Sequence, residues 1–435
     1  MRSLADLRDA AQTIFTSALA AVDARKAIRN AVRVDGTRLL IGEVELEVAL
    51  KPIFIISIGK AGMNMALGAI DQLGDRIVQG VVSCPETFAN ALTPQWQVFF
   101  GGHPLPNDAS LHAADASFDL LVRANRERGF VLFLVSGGGS AMIECPVDQT
   151  ITLTDMRETN RVLVQSGATI NEINSVRRTI SRVKGGALLS RTAVDNFTLI
   201  VSDTNVGDET TVASGPTLPP GNAQDAMPVI ERYGLFSALP RAVTEVLRSK
   251  RKSPGRNLVT SGHCVVLDNQ SALEAALYKS TELGFVAHIP NGISEQPVAE
   301  GCRLLLEALQ RTRGEADVCL ISGGEFSCTV KGNGVGGRNL ETVLRCAMEL
   351  DMRSGTQAHT VVLSAGTDGI DGNSPAAGAI ADEKTVTRGR AAGLDAGRFL
   401  EQSDSYSYFN ALGDTIMTGA TGTNVRDLRL ILQSS

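Results

Sequence analysis

The chain has 435 residues, 43% of them apolar and 20% charged, with a net charge of −6. That length exceeds one ordinary core and predicts two domains, with enough apolar side chains to fill both. The acidic balance excludes a general nucleic-acid or membrane-surface partner, because counterion release needs clustered Lys and Arg.

Leu4, Leu7, Ala11, Ile14, Phe15, Ala18, Leu19 and Val22 recur at helical spacing and predict an amphipathic packing helix within residues 3–33, to which no chemistry is assigned. A polar, hairpin-like region follows near 34–49. The segment IFIISIGKAG (53–62) reads as a buried strand that ends in Gly59-Lys60-Ala61-Gly62, with a lysine at its carboxyl end. Short strands are expected at 80–83 and 96–100, the second leading into Gly101-Gly102-His103-Pro104. His103 is a candidate acid or base, although an interior histidine fixing the turn is the simpler reading. Asn107 or Asp108 then caps a helix to about Arg128.

In FVLFLVSGGGSA (130–141) an apolar run stops abruptly at Ser136-Gly137-Gly138-Gly139-Ser140, as in a strand buried on both faces. Converging backbone N–H groups with a helix behind them would bind an anion; an empty strand-to-helix turn explains the same residues equally well. Residues 152–192 are helical in pattern and carry Arg177, Arg178, Arg182, Lys184 and Arg191, which read most simply as a solvated face. The alternative is that one or two of the cations near Asn174 turn inward toward an anion, ahead of the Lys184-Gly185-Gly186 break. FTLIVSDTNVGDETTVASGPT (197–217) is a strand ending at Ser202-Asp203, then a loop too long and polar to be a mere connector.

The charged, Pro/Gly-containing SKRKSPGR (249–256) marks the expected boundary between domains 1–248 and 257–435. Beyond it strands (261–268, 285–289) alternate with helices (270–284, 297–313). ADVCLISGGEF (316–326) repeats the pattern of apolar strand, serine and glycines. A strand at 327–330 is expected before GNGVGGRNLE (332–341), which opens a helix to about Met352. A strand at 359–363 ends in SAGTDGIDGNSPAAGA (364–379). Seven scattered cysteines without a C-x-x-C pair predict neither a zinc site nor a disulfide framework. With no signal-peptide pattern and no run of 18 apolar residues, a cytoplasmic protein is expected.

Five strands thus end alike, at Ser57, Ser136, Ser202, Ser322 and Ser364. Strand–helix alternation predicts parallel sheets, whose ligands bind beyond the carboxyl ends of the strands. Glycine N–H groups, the cations Lys60 and Arg338, and the acids Asp203, Asp208, Glu325, Asp368 and Asp371 match what phosphoryl transfer needs, namely position and charge. Each acid taken alone is equally a turn or cap residue. The stretch GNGVGG competes as a dinucleotide fingerprint, but its spacing is G-x-G-x-G-G and no acid follows at the next strand's end. A Walker A motif is absent.

Taken in order, SIGKAG, VSGGGSA, INEINSVRRTISRVKGGAL, SDTNVGDETTVASGPT, ISGGE, GVGGRNLE, SAGTDGIDG and TGATGTNV (418–425) resemble the class II glycerate 2-kinases, whose C-terminal part is called MOFRL. The resemblance implies an α/β chain of two domains, a larger Rossmann-like N-terminal domain with a parallel sheet and a smaller α/β MOFRL domain, with the active site in the interdomain cleft. It implies phosphorylation of D-glycerate at C2 by ATP with Mg²⁺. Lys60 and Arg338 fall on the family's catalytic lysine and arginine, with Asp203 a third candidate. Residues Ser136, Gly137, Gly138, Gly139 and Ser140 fall on a phosphate-binding loop, joined as cofactor-binding candidates by Gly323, Gly324 and Glu325; Asp208 and Asp368 are the metal candidates. A homo-oligomer is left open. Asn107, Pro375 and Ala420 depart from the family pattern. Members are often labelled hydroxypyruvate reductase, so an NAD(P)H-dependent reductase is the alternative, with a sugar-acid or nucleotide sensor third.

Overall fold

The computed structural model describes residues 2–48, 51–86, 92–219, 225–249, 260, 262–312, 317–352 and 358–434. By its internal contacts the chain divides into two units, Ala24–Val266 and Met1–Asp23 with Leu267–Ser435.

The first unit is built on the strand Ile53–Ile58, every residue of which is buried. An apolar run of this kind needs cover on both faces, which parallel strands receive from their crossover helices. It pairs in parallel with Ile77–Cys84 on one side and Phe130–Ser136 on the other; Trp96–Phe100 and Asn196–Val201 extend the sheet, also in parallel. The sixth strand is His263–Leu267, so the order is third, second, first, fourth, fifth, sixth. This doubly wound order reverses between Ile53–Ile58 and Phe130–Ser136, and the rule for such sheets puts the ligand crevice there. The helix Asp108–Glu127 covers one face and begins as expected, with Asn107 Oδ1 accepting from Ser110 N at 3.0 Å. The expected single helical stretch 152–192 is two helices, Leu153–Gln165 and Ile170–Thr179, each opened by a Thr capping box. Near 34–49 three short antiparallel strands replace the hairpin.

The second unit holds a mixed sheet, which corrects the expectation of parallel sheets throughout. Val318–Gly324 and Thr360–Gly366 run the same way, but the last strand, Asp427–Gln433, inserts antiparallel between them. It too is almost wholly buried, so its apolar pattern gives no sign of its direction. Gly378–Asp382 and Thr415–Ile416 complete one edge.

The contact-based units differ from the expected domain limits. The helix Leu4–Ala21, expected in the N-terminal domain, buries Leu7, Ile14 and Phe15 with Leu273, Phe285 and Leu430 of the second unit. Its amphipathic stripe requires a partner without specifying one. Apart from Ser249, the expected boundary at 249–256 lies outside the described residues, and the two units divide at Val266 and Leu267. No described helix is long and apolar enough to cross a membrane.

Candidate active site

At the switch point of the first sheet, two strand ends lock into one another. Ser136 is fully buried; its Oγ donates to Ile58 O at 3.0 Å and accepts from Ala61 N at 3.1 Å. Lys60 N donates to Gly137 O at 2.8 Å, and Gly59 N to Ser83 O at 3.0 Å. Gly59 has φ 109 and lies so close to Ser136 that a Cβ would come 2.3 Å from its carbonyl oxygen, so only glycine fits. Ser136, expected to contact phosphate, is instead the pin that fixes the two strand ends together.

The turn it fixes is the part that faces outward. A Cβ on Gly138 would lie 3.1 Å from both Lys60 Cγ and His103 Cδ2, so the half-buried lysine and the exposed histidine both border this glycine. His103 is therefore not an interior residue. Gly139 packs against Ala213 and Ile58. The helix that follows, Gly139–Met142, has four residues, too short for the dipole expected of it. Ser140 Oγ is hydrogen-bonded to Ser214 Oγ, and Ser214 Oγ donates to Asn174 Oδ1 at 3.0 Å.

Asp203 follows the strand Asn196–Val201, whose Val201 is in register with Ser136, so this carboxylate emerges at the same edge as Lys60 and Gly138; it is half-buried. Asp208 is exposed on the following loop. Beneath the site Lys184 and Glu144, each about 2% exposed, form a buried ion pair, and Ser181 Oγ donates to Glu144 Oε1 at 2.6 Å. Burial lowers the Lys184 pKa against the opposing pull of Glu144.

In the second unit Arg338 opens the helix Arg338–Met352. Its Nε and Nη2 donate to Asp427 Oδ2 and Oδ1 at 2.6 and 3.1 Å, and Nη2 pairs with Glu325 Oε1 at 2.7 Å. The Asp427 side chain is 1% exposed and the Arg338 side chain 35%, so the fork is anchored at its base and reachable from solvent. Burial alone would lower the Arg338 pKa; Asp427 and Glu325 outweigh it and raise it, keeping the guanidinium charged. Asp427 escaped sequence reasoning because it stands 89 residues from Arg338. The signal was a lone acid at the start of an apolar run, DLRLILQ.

Other expectations are revised. Gly324 N donates to Asn269 Oδ1 at 2.9 Å, and a Cβ on Gly323 would collide with that oxygen, so these glycines make room for Asn269 and do not present N–H groups to phosphate. Asp371 is buried and caps the Arg338–Met352 helix, accepting from Asn339 N at 3.1 Å and Leu340 N at 2.8 Å; burial pushes its carboxyl up to about 7. Asp368 is half-buried in an Asx turn, with Oδ1 accepting from Ile370 N at 3.2 Å. Among the described residues no three His, Cys, Asp or Glu side chains lie together as a metal site. The donor set suits Mg²⁺ held mainly by nucleotide phosphates and water, where one or two carboxylates suffice.

The stretch GNGVGG follows no strand, since within 327–330 only Ser327 pairs, in an isolated bridge to Pro297. A Cβ on Gly332 or Gly334 would meet Gln402 or Asp404, and Val335 N and Gly336 N donate to Asp404 and Asn373. The backbone approach that a dinucleotide requires is filled by the protein itself.

A doubly wound sheet with a lysine and a glycine turn at its switch point defines an α/β protein of the doubly wound class. Residues 10–248 match the domain of unknown function DUF4147, and residues 318–427 match the MOFRL family. A glycerate 2-kinase of Pyrococcus horikoshii is 32% identical over 99% of this chain and 98% of its own. A crystal structure of glycerate kinase from Thermotoga maritima aligns with a TM-score of 0.81 at 30% identity, over 98% of this chain and 99% of that one. A protein of Agrobacterium vitis, 34% identical over 87% of this chain and 86% of its own, bears the name putative hydroxypyruvate reductase. The chain belongs to the glycerate kinase family composed of DUF4147 and MOFRL parts.

Proposed function

We propose that the protein is an ATP-dependent kinase that phosphorylates the C2 hydroxyl of D-glycerate to 2-phosphoglycerate, with Mg²⁺ arriving on the nucleotide. The observation that carries this reading is the placement of Lys60 beside Gly138 at the switch point, in a chain similar over nearly its whole length to a glycerate 2-kinase. Phosphoryl transfer asks for held geometry and neutralised charge. In this reading Lys60 supplies the cation at the Gly137-Gly138 turn, Asp203 accepts the proton of the attacking hydroxyl, and Arg338, held by Asp427 and Glu325, clamps an oxyanion with its fork. Mg²⁺ would supply charge neutralisation at the phosphates when bound, and Asp203, half-buried at the end of its strand, is a carboxylate suited to it. The seven free thiols suit a reducing cytoplasm.

The test is ADP release with D-glycerate and Mg²⁺, with the product resolved as 2- or 3-phosphoglycerate, beside Lys60→Ala. The variant should lose at least about 100-fold in kcat, the scale of removing one preorganised charge-stabilising group. No ADP from the intact protein, or full activity in the variant, refutes the reading. Oxidation of NADH with hydroxypyruvate would replace it by the reductase.

A further inference from the structure

We propose that Asn174 and Arg178, one turn apart on the helix Ile170–Thr179 and adjoining Ser140, form the subsite that holds the carboxylate of the acid substrate. The substrate class rests on the glycerate reading above; the site itself rests on three observations.

The first is an amide with a spare donor. Asn174 is 2% exposed, and its Oδ1 is taken by Ser214, yet its Nδ2 has no hydrogen-bond partner among the described residues and is not sealed from solvent. A buried N–H₂ of this kind normally has a partner. The second is a cation without an acid. Arg178 is half-buried and makes no hydrogen bond or ion pair with any described residue, and burial is the one influence on its pKa, which it lowers. Its neighbour Arg177 differs, with Nε bound to Asn160 Oδ1 at 2.8 Å and Glu144 nearby. An uncompensated guanidinium is costly to bury and is expected to meet an anion.

The third is location. Positions i and i+4 of a helix share one face, so the amide and the guanidinium are neighbours. The stem of Arg178 packs on Gly185, where a Cβ would come 2.7 Å from Arg178 Cδ. Gly185 N donates to Ser214 O at 3.0 Å, and Ser214 Oγ is hydrogen-bonded to Ser140 Oγ at the end of the glycine turn. The donors therefore adjoin the turn beside Lys60 without depending on it. A guanidinium fork and an amide N–H₂ suit an oxyanion, and on the glycerate reading that oxyanion is the substrate carboxylate.

The experiment measures KM for D-glycerate and for ATP in the full-length enzyme, Arg178→Gln, Arg178→Lys and Asn174→Asp. Loss of one charge-assisted contact should raise the D-glycerate KM about 10- to 100-fold in Arg178→Gln, less in Arg178→Lys, with the ATP KM within about 2-fold. Asn174→Asp keeps the acceptor for Ser214 and puts a negative charge where the anion would lie, so it should also raise the D-glycerate KM. A glycerate KM unchanged in both Arg178→Gln and Asn174→Asp overturns the proposal, and so does a rise confined to ATP, which would make the anion a nucleotide phosphate. Inorganic sulfate titrated against melting temperature separates this from the kinase reading. Stabilisation of the intact protein but not of Arg178→Gln supports the subsite even if D-glycerate is never phosphorylated, and equal stabilisation of both overturns it.

Discussion

Asp427→Asn removes the charge that anchors Arg338 while keeping the volume of the side chain. The intact pair has two hydrogen bonds, at 2.6 and 3.1 Å, to a carboxylate that is 1% exposed. An amide leaves one acceptor and turns N–H₂ toward the guanidinium. Removing one partner of a fully buried pair costs about 3–5 kcal/mol. Here Arg338 is one-third exposed and keeps Glu325 at 2.7 Å, so a loss of about 1–2 kcal/mol in folding free energy is expected, read by urea denaturation. The effect on turnover should be larger in proportion, because a displacement of about 1 Å at a clamping residue costs about 100-fold. We expect kcat for ADP release to fall about 10- to 100-fold, with melting lowered by only a few degrees. A double-mutant cycle with Arg338→Ala isolates the cause: if Asp427 acts through Arg338, the double variant is no slower than Arg338→Ala alone. Wild-type kcat in Asp427→Asn, or rate losses that simply multiply in the double variant, would refute the reasoning.

Ser136→Ala should cost about 1–3 kcal/mol of stability, since Ala61 N and Ile58 O both lose their buried partner, and a denaturant titration reads it directly. Glu144→Gln leaves the Lys184 ammonium buried without a counter-charge and should cost about 3–5 kcal/mol, whereas replacing both with Gln and Met should cost less; equal losses would contradict the buried-pair account. The Asp371 carboxyl, raised from its ordinary 3.8 to about 7, holds a proton in the folded chain that the unfolded chain releases above about pH 4. Its contribution is therefore full at low pH and is lost as pH rises through about 7. Unfolding free energy should fall by on the order of a few kcal/mol between pH 4 and 8, and Asp371→Asn should flatten that slope.

The apolar runs ending in small residues are legible directly. IFIISIG, FVLFLVSGG and VCLISGG are buried strands because no alternation breaks them, and a run with no polar face must be covered on both sides. Lys60 at the end of one such run and Arg338 at the head of a helix follow from local order alone. What those runs do with their serines is not local. The hydroxyls of Ser57, Ser136 and Ser322 return to backbone carbonyls and that of Ser364 to Asn339, so the recurring serine marks how a strand is tied at its end and not where a ligand lies.

Burial and hydrophobic spacing specify that an element must be covered, and this much the sequence determines by itself: two α/β sheets, their strand ends and the two cations there. They carry no address for the cover. Tertiary structure alone decides that the first helix joins the second unit and that the last strand inserts antiparallel to bring Asp427 under Arg338. It also decides that, of two adjacent arginines, Arg177 is partnered and Arg178 has no ion-pair or hydrogen-bond partner among the described residues. Each of these depends on which side chains arrive from far along the chain, and long-range pairing leaves no periodicity for a sequence to show.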